Sequence, residues 1–211
     1  MLSGILNSKR KGTMSIGVME KGEARRMARA YLSGLTGSDV TRKSEAISAR
    51  LCAHQIWKRS GIILCYVAFD REVETRIIME TALAEGKRVG VPRIIGENLV
   101  FHELSGLDGR FVRHAYGIDE PMADSPVLDH TGWNRADTLV IAPGLAFDRK
   151  GGRVGRGRGF YDRFLETVRT RVSVTGVCFS GQLVSALRTE PHDIRTDYVV
   201  TESEFLSVGT G

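Results

Sequence analysis

The sequence predicts an α/β protein, a three-layer αβα single domain built on a mainly parallel sheet. Two short runs, Ile62-Ile63-Leu64-Cys65-Tyr66-Val67-Ala68 and Thr138-Leu139-Val140-Ile141-Ala142, are almost wholly apolar, which is how strands buried on both faces read. Segments with apolar residues at helical spacing lie between such runs, and that alternation builds a parallel sheet with crossover helices. The 211 residues, 42% hydrophobic and 26% charged, suit one globular domain with a sizeable core.

Each element has its own signal. Ala24, Met27, Ala28, Tyr31 and Leu32 recur at helical spacing, predicting a first helix from Lys21 to about Leu35, with Gly34 and Gly37 as stop signals. Ser38 or Thr41 can cap a second helix, whose apolar face through Ile47, Leu51, His54, Ile56 and Trp57 lasts until Ser60-Gly61. The buried strand over 62–68 follows. Helical spacing returns from Val73 to Glu85 and stops at Gly86, before the short run Val89-Gly90-Val91-Pro92, completing a βαβ unit.

Asn98-Leu99-Val100-Phe101-His102 opens a second set, which reaches the buried strand at 138–142 through an irregular stretch, 104–135, rich in Gly, Asp and Pro. Such a stretch suits substrate-facing loops. A long glycine-rich loop comes next, then a helix from Tyr161 to Val168, a strand from Val172 to Phe179, and a short terminal strand Tyr198-Val199-Val200-Thr201.

Cys52, Cys65 and Cys178 form no CxxC pair, which favours buried thiols in a reducing, cytoplasmic setting. No window approaches the roughly 18 apolar residues a membrane helix needs, so the chain reads as soluble, without a membrane partner, and a monomer is expected. The first acidic residue is Glu20, and Lys9, Arg10 and Lys11 precede it. Residues 1–20 therefore read as a basic flexible leader, with Met14 as an alternative start, ahead of a domain over 21–205. The net charge of +5 suits nucleic acid or an anionic small substrate equally.

The chemistry concentrates in Ala142-Pro143-Gly144-Leu145-Ala146-Phe147-Asp148, continuing through Arg153-Val154-Gly155-Arg156-Gly157-Arg158-Gly159-Phe160-Tyr161-Asp162-Arg163. Alternating Gly155, Gly157 and Gly159 let backbone approach a ligand, while Arg153, Arg156 and Arg158 offer cationic forks for phosphate oxygens. A helix N-terminus follows, so an anion should bind here. Asp162 comes next, where a carboxylate can hold the Mg²⁺ that accompanies nucleotide phosphates. Neither GxxxxGK[ST] nor a strand-to-helix GxGxxG occurs. Composition alone fits an RG-rich solvated loop or an RNA-backbone patch as well as it fits ATP.

Residue order separates these readings. RVGRGRGFYDR after APGLAFD closely resembles the glycine-rich motif of 5-formyltetrahydrofolate cyclo-ligases, typically PGxAFDxxGxRLGxGxGYYDR. Further landmarks of that family follow the same order: Lys21 and Arg25 as K-x-x-x-R, Glu72-Val73-Glu74-Thr75, Gly117-Ile118-Asp119-Glu120-Pro121, and Glu190-Pro191-His192-Asp193. The resemblance spans roughly Lys21 to Thr201. Val154 replaces the usual Leu and Phe160 the first of paired tyrosines, the second change losing a hydroxyl.

The resemblance implies a reaction and a set of roles. Lys21, Arg25 and the loop Arg153, Val154, Gly155, Arg156, Gly157, Arg158, Gly159, Phe160 and Tyr161 would bind ATP, with Arg156, Arg158 and Tyr161 catalytic. Val67 and Glu72 would contact the folate, and Asp162 and Asp193 would hold Mg²⁺. By spacing alone, Lys21 and Arg25 read as a solvated helix face, Glu72 as a helix-start carboxylate and Asp193 as a turn residue. His192 has no paired ligand spacing, and Arg93, Trp133 and Phe147 read more readily as structural than as a pterin pocket.

The implied activity is ATP-dependent conversion of 5-formyltetrahydrofolate to 5,10-methenyltetrahydrofolate, ADP and phosphate, through a phosphorylated formyl (iminophosphate) intermediate. It asks the protein for positioning and charge neutralisation, which suits a sequence with no evident Ser–His or Cys–His pair. The rival from another class is a nucleic-acid-binding module using the RGRG loop, which predicts steeply salt-dependent RNA binding and no turnover.

Overall fold

The computed structural model describes residues 17–108, 111–114 and 117–209; the basic leader, up to residue 16, lies outside them. The elements run α1 (Lys21–Ser33), α2 (Gly37–Ala53), α3 (Gln55–Arg59), β1 (Ile62–Cys65), α4 (Arg76–Ala84), β2 (Arg88–Ile95) and β3 (Asn98–Leu104). Next come β4 (Phe111–Arg113), β5 (Asp119–Pro121), β6 (Thr138–Ala142), β7 (Ala146–Asp148) and β8 (Arg153–Val154). The chain closes with α5 (Phe160–Val168), β9 (Ser173–Val177), β10 (Leu183–Val184), β11 (Tyr198–Val200) and β12 (Phe205–Ser207).

Seven strands form the central sheet in the order β12-β11-β9-β6-β1-β2-β3. The five inner strands pair in parallel, and the edge strands β12 and β3 pair antiparallel with their neighbours. Side chains alternate between faces along each strand. Ile63, Cys65, Leu139 and Ile141 therefore join α1–α4 in one buried cluster, while Ile62, Leu64, Val140 and Ala142 join Phe164, Leu165 and Val168 of α5 in another. Helices thus cover both faces, and the predicted three layers and mainly parallel sheet are present.

Local chemistry moved several expected boundaries. Neither Ser38 nor Thr41 caps α2; Thr36 does. Its hydroxyl accepts from the Asp39 N–H at 3.1 Å, and the Asp39 carboxylate accepts from the Thr36 N–H at 3.2 Å, a reciprocal arrangement that satisfies two donors with no intrahelical partner. Gly37, read as a stop, is the first residue of α2. That helix ends at Ala53 because His54 is extended, with its Nδ1 accepting from the Ile56 N–H at 3.2 Å, and a separate turn, α3, follows.

The run beginning at Asn98 does not open a second βαβ set. It folds back on β2 in a hairpin that pairs Val89 with Leu104 and Ile95 with Asn98, turning at Gly96 with φ 61°. Within the irregular stretch, β4 and β5 form a second hairpin. The glycine-rich loop contributes β7 and β8 to a small separate sheet, ordered β10-β7-β8. Gly176 stands inside β9 because a Cβ there would sit 2.2 Å from the Phe147 ring, the close approach that favours glycine inside a strand.

Asp197 fastens β11 to its neighbours. It accepts from Arg135 at 2.5 Å, from Arg169 at 2.7 and 3.1 Å, and from the Val174 N–H at 2.8 Å. Burial pushes its pKa up, but the Arg169 and Arg135 guanidinium groups and the Val174 N–H outweigh it, and the net shift is downward. A carboxyl depressed on folding contributes stability above its unfolded pKa of about 4 and loses it as pH falls through the lower folded value. Thermal melts followed by circular dichroism are expected to hold near neutrality and drop below about pH 4. Asp197→Asn is expected to flatten that acid limb; an unchanged limb assigns it to other carboxylates.

Candidate active site

The loops at the carboxyl ends of β1, β6 and β7, with α1 and the 190–193 turn, enclose a cleft of about 970 Å³. That is where a parallel sheet with helices on both faces ordinarily places a ligand. All of the sequence-predicted residues line it: Lys21, Arg25, Val67, Glu72, the run from Arg153 to Tyr161, Asp162 and Asp193.

The glycine loop supplies a cationic end. Gly157 (φ 110°) and Gly159 (φ 69°) have backbones that side-chain-bearing residues rarely adopt, and Gly159 directly precedes α5. Arg153 is anchored deep, its side chain only 3% exposed. It pairs with Asp162, donates to the Pro143 carbonyl at 3.3 Å, and lies 5.9 Å from the Tyr161 ring centre. Arg25 ties α1 to the loop by donating to the Gly155 carbonyl at 3.0 Å. Arg163 donates to the Glu97 and Arg158 carbonyls and so braces the far end of the loop against the β2–β3 turn. The Tyr161 hydroxyl is buried without a protein partner among the described residues, and burial holds its pKa well above the ordinary phenol value.

An acidic patch also lines the cleft. Lys21 Nζ donates to Glu190 at 2.5 Å and to Asp193 at 2.9 Å. Burial alone would lower the lysine pKa, but these two carboxylates outweigh it and keep the ammonium charged. Lys21 in turn depresses Glu190, and it also lowers Asp193 against the opposing pull of burial. Ligand atoms of Glu190, His192 and Asp193 lie within 4.8 Å of one another. Oxygen donors suit a hard cation such as Mg²⁺, so the group expected around Asp193 fits chemically. Glu190 and His192 stand beside it although neither was singled out as a ligand, and Asp162 reaches the cleft from the Arg153 side.

A further contact joins the glycine loop to the turn after β1. Arg156 Nε donates to Glu72 Oε1 at 2.9 Å, with the guanidinium 5.2 Å from the Phe69 ring centre. The other Glu72 oxygen accepts from the Phe69 N–H at 3.1 Å. The turn that presents Glu72 includes Asp70 at φ 58°, a conformation uncommon outside glycine. Burial raises the Glu72 pKa and the neighbouring Asp70 adds to it, while Arg156 pulls the other way.

Beyond Glu72 the lining turns apolar, with Val67 and Phe69 facing Pro92, Ile94 and Leu99 of the β2–β3 hairpin and Ile118 before β5. Sequence reasoning quoted Ile118 only as a landmark and missed the hairpin, because nothing local shows that β2 and β3 turn an edge toward the site. Trp133 and Phe147, set aside as core, are buried.

The family model described as the 5-formyltetrahydrofolate cyclo-ligase family matches residues 18–202. The chain belongs to that family. The match takes in the glycine loop that forms the cationic end of the cleft. The chain is similar to the Escherichia coli 5-formyltetrahydrofolate cyclo-ligase, 31% identical over 185 residues that cover 84% of this chain and 98% of the relative. It is also similar to a probable 5-formyltetrahydrofolate cyclo-ligase of Schizosaccharomyces pombe, 25% identical with 89% and 98% covered. Among solved structures, the Aquifex aeolicus 5,10-methenyltetrahydrofolate synthetase superposes with a TM-score of 0.76 at 26% identity, covering 90% of this chain and 94% of that one. Among the described residues, no helix is long and apolar enough to cross a membrane.

Proposed function

We propose that this protein is a 5-formyltetrahydrofolate cyclo-ligase that uses ATP to form 5,10-methenyltetrahydrofolate, ADP and phosphate. The observation that carries the reading is one cleft with a cationic glycine loop at one end and an apolar wall at the other, joined by the Arg156–Glu72 pair. A triphosphate suits the first end, where the fork geometry of Arg153, Arg156 and Arg158 complements phosphate oxygens. A flat heteroaromatic ring with N–H donors suits the second, between the apolar wall and the Glu72 carboxylate, alongside Val67.

The formyl oxygen attacks the γ-phosphorus and ADP leaves. N10 then attacks the activated formyl carbon and gives up its proton, and phosphate departs with the original oxygen. Lys21, Arg25 and the loop from Arg153 to Tyr161 hold the nucleotide in line, and Arg156 and Arg158 take up charge that develops on the transferring group. The buried Tyr161 hydroxyl, kept protonated, donates to an oxygen of the bound ligands. Asp193 and Asp162 are the proposed Mg²⁺ ligands, with Glu190 beside Asp193; the ion supplies neutralisation of the phosphate charge. Phe160 offers a ring face where the motif it resembles usually has a tyrosine hydroxyl.

The test is the absorbance rise of the methenyl chromophore when protein meets 5-formyltetrahydrofolate, with ATP-Mg²⁺ present or omitted. A rise that requires ATP-Mg²⁺ is expected, with phosphate released in equal amount. Folded protein that gives no rise sinks the reading, and salt-sensitive RNA binding would then be measured instead.

A further inference from the structure

Asp148 closes β7 and is only 2% exposed. Among the described residues, its carboxylate accepts only from backbone N–H groups. Oδ1 accepts from Lys150 at 2.9 Å and Gly152 at 2.7 Å, and Oδ2 accepts from Leu187 at 2.8 Å. These donors belong to two separate segments. Gly152 leads directly into Arg153 and the glycine loop. Leu187 begins the run to Glu190 and Asp193, and it also bridges Met19, two residues before Lys21, through bonds of 2.9 Å from Met19 N–H to the Ala186 carbonyl and from Arg188 N–H to the Met19 carbonyl.

We propose that Asp148 is the positioning residue of the nucleotide end, setting the glycine loop in register with the segment that carries Glu190 and Asp193. The proposal rests on the functional reading above. One carboxylate can do this because it offers acceptors on both oxygens and no donor. Its bonds are charge-assisted, and displacing either segment would leave a buried charge short of partners. Gly152 belongs to the device, since a Cβ there would lie 2.7 Å from Asp148 Oδ2. The small β10-β7-β8 sheet brings the two segments side by side by pairing Val184 with Asp148. Asp148 does not line the cleft, so it acts through the residues it places.

Asp148→Asn tests this selectively. The amide oxygen can keep Lys150 and Gly152, but the amide nitrogen then faces the Leu187 N–H, donor against donor, and the tie to the acidic segment is lost. Steady-state kinetics are measured well below the melting temperature set by circular dichroism. The expected result is an apparent KM for ATP-Mg²⁺ raised by roughly tenfold or more. The Mg²⁺ concentration for half-activity should rise with it, and the KM for 5-formyltetrahydrofolate should stay within about twofold. A fall in kcat with every half-saturation constant unchanged means Asp148 only keeps molecules folded, and overturns the proposal, as do wild-type kinetics. Should Asp148→Asn fail to fold, Gly152→Ala, which displaces the carboxylate without removing it, is read by the same criteria. Wild-type protein lacking ATP-dependent turnover would instead bring down the functional reading and this inference with it.

Discussion

Arg156→Ala is expected to lower kcat/KM by roughly 10³-fold, the scale at which removing an arginine that stabilises a transferring phosphoryl group is felt. Arg156 is exposed, so the fold should survive its loss, with an unchanged far-ultraviolet spectrum as the check. Arg156→Lys restores charge but not the planar fork, and should recover only part of the loss. A second consequence follows from Glu72, whose pKa burial raises and Arg156 draws back down. Without the guanidinium the carboxyl's pKa should rise further, so residual turnover should climb with pH as Glu72 regains its charge. Residual activity flat in pH would mean that ionised Glu72 does not hold the folate.

Arg153→Met is expected to cost about 3 kcal/mol of stability, because it strips a buried ion pair of one partner. The lower end of that range applies because Asp162 stays 26% exposed and solvent can partly compensate it. For a domain of this size, the melting temperature should fall by roughly 6–12 °C. Pairing Arg153→Met with Asp162→Asn should recover part of the loss, since no uncompensated carboxylate then remains. Strictly additive melting shifts would show that the two side chains do not support each other. Turnover should be lost in the single variant as well, because Arg153 lines the cationic end of the cleft and holds Asp162 there.

Helices were legible where periodicity was strong and uninterrupted. Ala24, Ala28 and Leu32 face the core as their spacing predicts, and β6 has the bounds its apolar run suggested. The boundaries that moved did so for reasons of hydrogen bonding. The Thr36–Asp39 box starts α2 early, and His54 ends it early by accepting from Ile56 N–H. Short strands escaped detection because two or three residues, as in β8, β10 and β12, carry no readable period. Their pairing leaves no local pattern either: Leu183 pairs with Phe147 far back in the chain, and Leu206 pairs with Val199 only after a turn.

By itself the sequence determined the α/β class, the two-faced burial of the inner strands, and the anion-seeking character of the RVGRGRG loop. All of these follow from local composition and order along the chain. Only the tertiary structure decided that Arg156 reaches Glu72, that Lys21 lies between Glu190 and Asp193, and that Asp148 ties two loops with one carboxylate. Apart from the local Asp148–Gly152 bond, those contacts join residues from 39 to 172 positions apart. A parallel sheet sends each crossover away from the site and returns it many residues later, so the partners that meet at its carboxyl edge leave no spacing in the sequence to read.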